Sequence, residues 1–179
     1  MERKLELKDI AGYLPYKMQM KLSRKVIWYP NLNEKPVIKE CDATLTIDLL
    51  SDIKSGMLDS MAKFIPILRP ISDLYKEITN NGSEPFIPIV ELAEIVYPHS
   101  GWNFNNSRGY AYNGRNNGTN WLFKYIDGYF SLMENFKDTN ITNQYQLFDK
   151  LNEWKIDYRG LIDAGLAVSV YDLEINPYK

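Results

Sequence analysis

The sequence predicts an α+β fold: one compact domain over residues 1–179, with a mixed or antiparallel sheet, several short helices and one long loop at 98–121. Three observations carry that expectation. The length of 179 residues matches about one domain of common size. The 45% hydrophobic and 25% charged residues are ordinary globular usage, with enough apolar surface for a core and too little charge bias for disorder. Helical and strand periodicities alternate irregularly, without the βαβ rhythm of a doubly wound sheet or an internal repeat.

Residues 13–49 read as strands. Met18, Met20 and Leu22 alternate with Lys17, Gln19 and Lys21, and Leu45, Ile47 and Leu49 alternate with Thr44, Thr46 and Asp48, a period of two that turns one apolar face to a core. The intervening residues 29–36 hold two prolines and two asparagines and read as a surface loop. Met57, Leu58, Met61, Ala62 and Ile65 fall on a helical stripe that Pro66 ends. A further helix is expected where Ser72 supplies a cap, Asp73 sits in the first turn, and Ile71, Leu74, Tyr75 and Ile78 keep helical spacing up to Asn81-Gly82.

Pro88 opens the next helix, because Ile89, Leu92, Ala93 and Val96 repeat that spacing and Pro98 forbids continuation. Asp127-Gly128 lies between the apolar runs 122–126 and 129–133 and predicts a two-residue hairpin turn. Thr142 opens a helix with Leu147, Phe148, Leu151 and Trp154 on its apolar side and Lys150, Glu153 and Lys155 facing water. Gly165 closes a brief helical turn over 161–164, and 166–171 reads as a last strand.

Composition removes several classes of function. Twenty-one basic residues against 23 acidic ones leave a net charge of -2, so no overall positive field draws the molecule to nucleic acid or anionic lipid. The lone Cys41 and lone His99 exclude a disulfide framework and a four-ligand zinc site. The first residues carry no apolar run of signal-peptide length and no stretch approaches the ~20 residues that span a bilayer, so the expected location is the cytoplasm, with no membrane partner. Charge is polarised along the chain, with seven basic and three acidic residues over 2–25 and four basic and nine acidic over 127–174. That asymmetry leaves homo-oligomer formation or a charged partner open.

From His99 to Trp121 the chain reads HSGWNFNNSRGYAYNGRNNGTNW, with seven Asn, four Gly, five aromatic residues, two Arg and no acid. A loop of more than ~20 residues inside a compact domain is unusual and is often functional. Trp102, Phe104, Tyr110, Tyr112 and Trp121 have the rings to stack on bases or sugars, and Arg108 and Arg115 the charge to meet phosphate. No Asp or Glu occurs from Ile95 to Ile126, so the local field there is positive. These seven residues form the candidate binding surface. The same rings read as a cluster packed beneath a loop, or as anchors of a protein interface, where aromatic residues and arginine are enriched. Their exposure discriminates among these readings.

Catalytic patterns fail on their own residues. Gly109 and Gly114 have the spacing of a phosphate loop, but Arg115 stands where lysine is required and Asn116 where the magnesium-binding hydroxyl belongs. Neither the dinucleotide fingerprint nor the nucleophile elbow occurs. Glu153 and Lys155, with Asp138 or Asp149, have the acid-x-Lys spacing of metal-dependent nucleases, yet sit on an expected helix with a solvated face. Cys41 reads as a buried small hydrophobe and His99 as a surface residue. No catalytic residue, metal ligand or cofactor is assigned.

Several phrases taken together carry a resemblance: Leu7-Lys-Asp-Ile-Ala-Gly-Tyr-Leu-Pro-Tyr16, Ile67-Leu-Arg-Pro-Ile-Ser-Asp-Leu-Tyr-Lys-Glu-Ile78, Phe86-Ile-Pro-Ile89, Glu153-Trp-Lys-Ile-Asp-Tyr-Arg-Gly-Leu-Ile-Asp-Ala-Gly-Leu-Ala167 and Asn176-Pro-Tyr-Lys179. They resemble a family of small uncharacterised proteins of gut Bacteroides-type bacteria and their phages and prophages. The resemblance reaches both ends and the middle but not 99–121, and Asn152 stands where histidine is expected in some relatives. It implies a phage or mobile-element protein working in the cytoplasm of a bacterial host cell, and no chemistry. The functional expectation is a non-enzymatic accessory protein that binds a host or phage protein through 102–121. The alternative is a nucleic-acid binder using Arg108, Arg115 and the rings, and the second alternative a carboxylate-dependent metal hydrolase at Asp149, Glu153 and Lys155.

Overall fold

The computed structural model of the chain describes residues 3–26, 37–55, 62–98, 101–114 and 120–179. Helices and antiparallel strands mix in the expected α+β manner, and the chain divides into two compact units, Met1–Arg69 with Arg159–Pro177 and Pro70–Tyr158 with Tyr178–Lys179.

In the first unit a short helix α1 (Leu7–Ile10) starts on local polar chemistry. The Glu6 backbone N–H donates to Asp9 Oδ2 at 3.0 Å, and Arg3 Nη2 donates to Asp9 Oδ1 at 3.0 Å, which satisfies a buried carboxylate. A 3-10 stretch, Ala11–Tyr16, leads into β1 (Gln19–Val26), paired antiparallel with β2 (Val37–Thr44) so that Leu22 lies opposite Cys41. Met18 and Met20 are fully buried, as the alternation predicts. The loop expected at 29–36 lies outside the described residues.

The second half of the expected strand region is a helix, α2 (Ile47–Ser55). Thr46 decides it: its hydroxyl accepts from the Leu49 N–H at 3.3 Å and its carbonyl from Leu50 N–H at 3.0 Å, which is N-cap chemistry. Leu45 and Leu50 are buried while Ile47 is exposed, so the period-two pattern there was incidental.

The helix expected over 57–65 is overturned where it is described, because Ala62–Pro70 is a strand, β3; residues 57–61 lie outside the described set. β3 pairs antiparallel with β1, Met20 opposite Pro66 and Leu22 opposite Phe64, and parallel with a two-residue strand, Val168–Ser169. The parallel pairing begins at Ile67, one residue after Pro66, so the proline without an N–H stands just before that ladder. The last strand is accordingly shorter than 166–171: Ser169 Oγ accepts from the Tyr171 N–H at 3.2 Å and starts a 3-10 turn, Val170–Asp172. Residues 161–165 form turns rather than a helix, with Gly165 at φ 68° closing them. Among the described residues the sheet order is Val168–Ser169, β3, β1, β2, and Cys41 on β2 is exposed rather than buried as expected.

The second unit opens with a five-residue 3-10 turn, Ile71–Tyr75, in place of the longer helix expected up to Ile78. Ile78 instead exchanges both backbone bonds with Phe86, at 2.8 and 2.9 Å, around a turn in which Asn81 and Gly82 both have positive φ. Asn-Gly thus serves as a hairpin turn and not as a helix stop. The helix α3 (Pro88–Val96) stands as expected, with Pro88 first and Ile89, Leu92 and Ala93 buried.

Among its described residues, the segment expected to be one loop at 98–121 is mostly sheet. β4 (Asn103–Asn105), β5 (Tyr110–Gly114), β6 (Asn120–Ile126), β7 (Tyr129–Glu134) and β8 (Lys137–Thr139) form an antiparallel meander in chain order. The Asp127-Gly128 hairpin is where the dipeptide predicts it, both residues at positive φ. The helix α4 (Gln144–Glu153) follows, entered from Asn143 rather than opened by Thr142.

Lys155 departs from expectation. It terminates α4 in a left-handed conformation, φ 57°, which turns its side chain inward, 2% exposed, with Nζ 5.2 Å from the centre of the Tyr178 ring. The unit's core joins Ile89, Leu92 and Ala93 of α3, Leu147 and Leu151 of α4, and Trp102, Phe123, Phe130 and Leu132 of the sheet region. Each of the leucine, isoleucine and phenylalanine side chains contributes about 1.5–3 kcal/mol of burial.

Candidate functional site

The meander has two faces of different chemistry. Register sets the inward row Phe104, Ala111, Phe123, Leu132 and the outward row Asn103, Tyr112, Leu122, Met133, Asp138, each residue directly opposite the next. The inward row meets α3 and α4 in the core. The outward row does not.

This alternation sorts the seven residues singled out by the sequence. Trp102 is buried, 7% exposed; its indole N–H donates to the Tyr97 carbonyl at 3.2 Å and its ring meets Phe123 edge-on at 6.4 Å. Trp121 is 8% exposed and stacks on Tyr97 at 4.8 Å. Phe104 is half-buried and stacks on Tyr75 at 6.4 Å. These three rings pack the inward face and are not available as outward contacts. Tyr110 and Tyr112 point outward, their rings edge to face at 6.2 Å, and Tyr112 is 38% exposed. Arg108 is exposed in the β4–β5 turn, and Arg115 lies outside the described residues, as does His99.

The β4–β5 turn is built by Asn105, whose carbonyl accepts from the Arg108 and Gly109 N–H groups at 3.2 and 2.9 Å. Gly109 has φ 61°, and a Cβ there would meet the Tyr75 ring at 3.8 Å. The Tyr75 hydroxyl in turn donates to the Tyr125 carbonyl at 3.1 Å. Burial raises the pKa of Tyr75, and burial also raises that of Tyr125. Asn113, expected in a polar loop, faces the core opposite Trp121, 3% exposed, and its Oδ1 has no hydrogen-bond partner among the described residues.

Sequence reasoning missed Leu122, Lys124, Ile126, Tyr129, Ser131 and Met133, which complete the outward face. The signal was present in their alternation with Trp121, Phe123, Tyr125, Phe130 and Leu132 on either side of Asp127-Gly128. Ile126 lies opposite Tyr129, and Lys124 opposite Ser131. Charge changes sign across the sheet. β4 to β6 carry Arg108 and Lys124 with no acid, whereas β7 and β8 bring Glu134 and Asp138 with Lys137. The Ser131 hydroxyl donates to Asp138 Oδ1 at 3.5 Å.

The residues nominated for hydrolysis are spread over different environments. Asp149 is exposed, Glu153 is paired with Lys150 Nζ at 2.7 Å, and Lys155 is buried against Tyr178. Among the described residues no group of three or more His, Cys, Asp or Glu is placed to hold a metal, and no helix is long and apolar enough to cross a membrane. No family model matches the chain, and neither the curated proteins nor the solved structures give a significant match.

Proposed function

We propose that this chain is a non-enzymatic, protein-binding accessory module that works through the outward face of the β4–β8 sheet. The observation that carries the reading is the row Tyr112, Leu122, Met133, directly paired across three strands on the face opposite α3 and α4. A sheet that needed only to cover a core would place polar residues on its far side. Here that face bears Tyr110, Tyr112, Tyr129 and Met133, of side-chain types enriched at protein interfaces, beside Leu122 and Ile126, with Lys124 between these two on the central strand and Asn103 and Asp138 on the edge strands. The bacterial cytoplasm and the phage or mobile-element setting implied by the resemblance suit a small accessory protein and belong to the same proposal.

The test is a tagged pull-down from cells that carry the protein, wild type against the double variant Tyr112→Ser with Met133→Ser. Far-UV circular dichroism checks that both stay folded. Loss of a discrete partner from the variant supports the reading, and identical recovery removes the face from the argument.

A second reading, binding of single-stranded nucleic acid, draws on the acid-free stretch from Ile95 to Ile126 with Arg108, Lys124 and the Tyr110 and Tyr112 rings. Asp138 in the outward row opposes phosphate there, which is why it ranks second. Anisotropy of a labelled oligonucleotide that falls steeply with added salt would favour it over the first reading.

A further inference from the structure

We propose that Asn81-Gly82 is a site of spontaneous covalent modification, where the Asn81 side-chain amide is lost as ammonia to leave aspartate or isoaspartate, and that the isoaspartyl product unfastens the C-terminal Tyr178. The proposal is independent of the binding reading above. Asparagine is a thermolabile residue, and it is weakest before glycine, whose backbone nitrogen, unshielded by a Cβ, attacks the side-chain carbonyl carbon. The chain holds three such pairs, Asn81-Gly82, Asn113-Gly114 and Asn117-Gly118, and the last lies outside the described residues. The first two are alike in sequence, and the fold separates them.

Asn81 and Gly82 are exposed at the centre of a turn that the Ser83 N–H closes on the Asn80 carbonyl at 3.2 Å. A Cβ at Gly82 would meet nothing within 4 Å, and among the described residues the Gly82 N–H makes no hydrogen bond. The attacking nitrogen is therefore in water, where solvent base removes its proton. Asn81 stands at φ 53°, in the left-handed region that a residue with a Cβ holds at a cost, so the swing that brings Gly82 N toward Asn81 Cγ also relieves it. Asn113 differs on each count. Its side chain is 3% exposed and faces the core opposite Trp121, and Gly114 is held in the β5–β6 ladder opposite Asn120.

Water is the reaction's one co-reactant. The Gly82 nitrogen gives up its proton and bonds to Asn81 Cγ, the Cγ–Nδ2 bond breaks, and ammonia leaves with a proton in place of the one removed. Water then opens the cyclic imide at either carbonyl, and nothing is oxidised or reduced. Opening at Cγ gives aspartate; opening at the backbone carbonyl gives isoaspartate, which routes the chain through Cγ and lengthens it by a methylene. In the unmodified protein the Asn81 N–H donates to the Tyr178 carbonyl at 3.1 Å, and Tyr178 is 1% exposed with Lys155 Nζ over its ring. The longer backbone carries that N–H out of register with the turn, so isoaspartate loses the tether, whereas aspartate keeps it.

The full chain, held at mildly alkaline pH and body temperature, is mapped by mass spectrometry. Trypsin cleavage after Lys76, Arg108, Arg115 and Lys124 puts the three pairs in separate peptides. Acid is expected at Asn81, with an isoaspartyl fraction marked by an isoaspartyl methyltransferase, and Asn113 is expected to react slower by about tenfold or more because its sheet must first open. Unfolding in guanidinium chloride should bring the two rates together. Equal rates in the folded protein overturn the proposal, as does an Asn81 that reacts only when the chain is unfolded. Separated by ion exchange, the isoaspartyl form is expected to melt below the wild type and the Asn81→Asp variant close to it; an isoaspartyl form that melts with the wild type overturns the release of Tyr178.

Discussion

Asn120 and Asn135 exchange two hydrogen bonds: the Asn120 backbone N–H donates to Asn135 Oδ1 at 2.9 Å, and the Asn135 N–H donates to the Asn120 carbonyl at 2.8 Å. They tie the β7–β8 turn to the start of β6. The turn itself places Asn135 and Phe136 at positive φ, 48° and 65°, with Phe136 73% exposed. Asparagine tolerates that conformation, whereas a bulky aromatic residue does not adopt it readily.

Phe136→Gly is therefore expected to stabilise the protein. Relief of a left-handed non-glycine residue is worth about 1–2 kcal/mol, and the added freedom of glycine in the unfolded chain returns about 0.5–1 kcal/mol. The exposed ring contributes little burial to lose. A net gain of about 0.5–1 kcal/mol should appear as a higher urea midpoint at unchanged slope, and a lower midpoint would show that the ring is packed.

The two faces of the meander should separate cleanly in stability. Trp121→Ala removes an inward ring stacked on Tyr97 and is expected to cost about 3–5 kcal/mol. Tyr112→Ala removes an outward ring and is expected to cost less than about 1 kcal/mol. Denaturant unfolding of both variants checks the assignment; equal losses would contradict the alternation.

Alkaline pH reports on Tyr75 and Tyr125. An unperturbed tyrosine ionises near 10.0, and burial raises both groups above that in the folded protein. Because the folded state holds these protons more tightly, their contribution to stability is complete below 10.0 and is lost as pH climbs through the folded values. An ultraviolet titration should show a late-ionising component that Tyr75→Phe and Tyr125→Phe each diminish. Tyrosines that all ionise together in the folded protein would refute this.

Thr46→Ala deletes the hydroxyl that accepts from the Leu49 N–H at the start of α2. The expected cost is about 1 kcal/mol, with Thr46→Ser restoring most of it. Thermal unfolding of the three proteins is the measurement, and an unchanged midpoint in the alanine variant would deny the cap.

Several of these relationships were legible in the residues alone. Pro88 with the spacing of Ile89, Leu92 and Ala93 specified α3, and Asp127-Gly128 specified a hairpin, because each rests on backbone chemistry confined to a few neighbours. The ring-rich stretch was legible as unusual but not as sheet. Its asparagines mimic loop composition, yet Asn113 faces the core opposite Trp121 and Asn105 closes a turn.

The sequence by itself determined the α+β class, the position of α3 and α4 and the concentration of rings and amides around 102–121, since composition, helical spacing and turn residues act locally. Only the tertiary structure decided that Ala62–Pro70 is a strand, that Lys155 is buried, and that Trp102 and Trp121 turn inward while Tyr110 and Tyr112 turn outward. A strand's identity and its inward side are set by the partner it pairs with, and β1 lies about forty residues before β3.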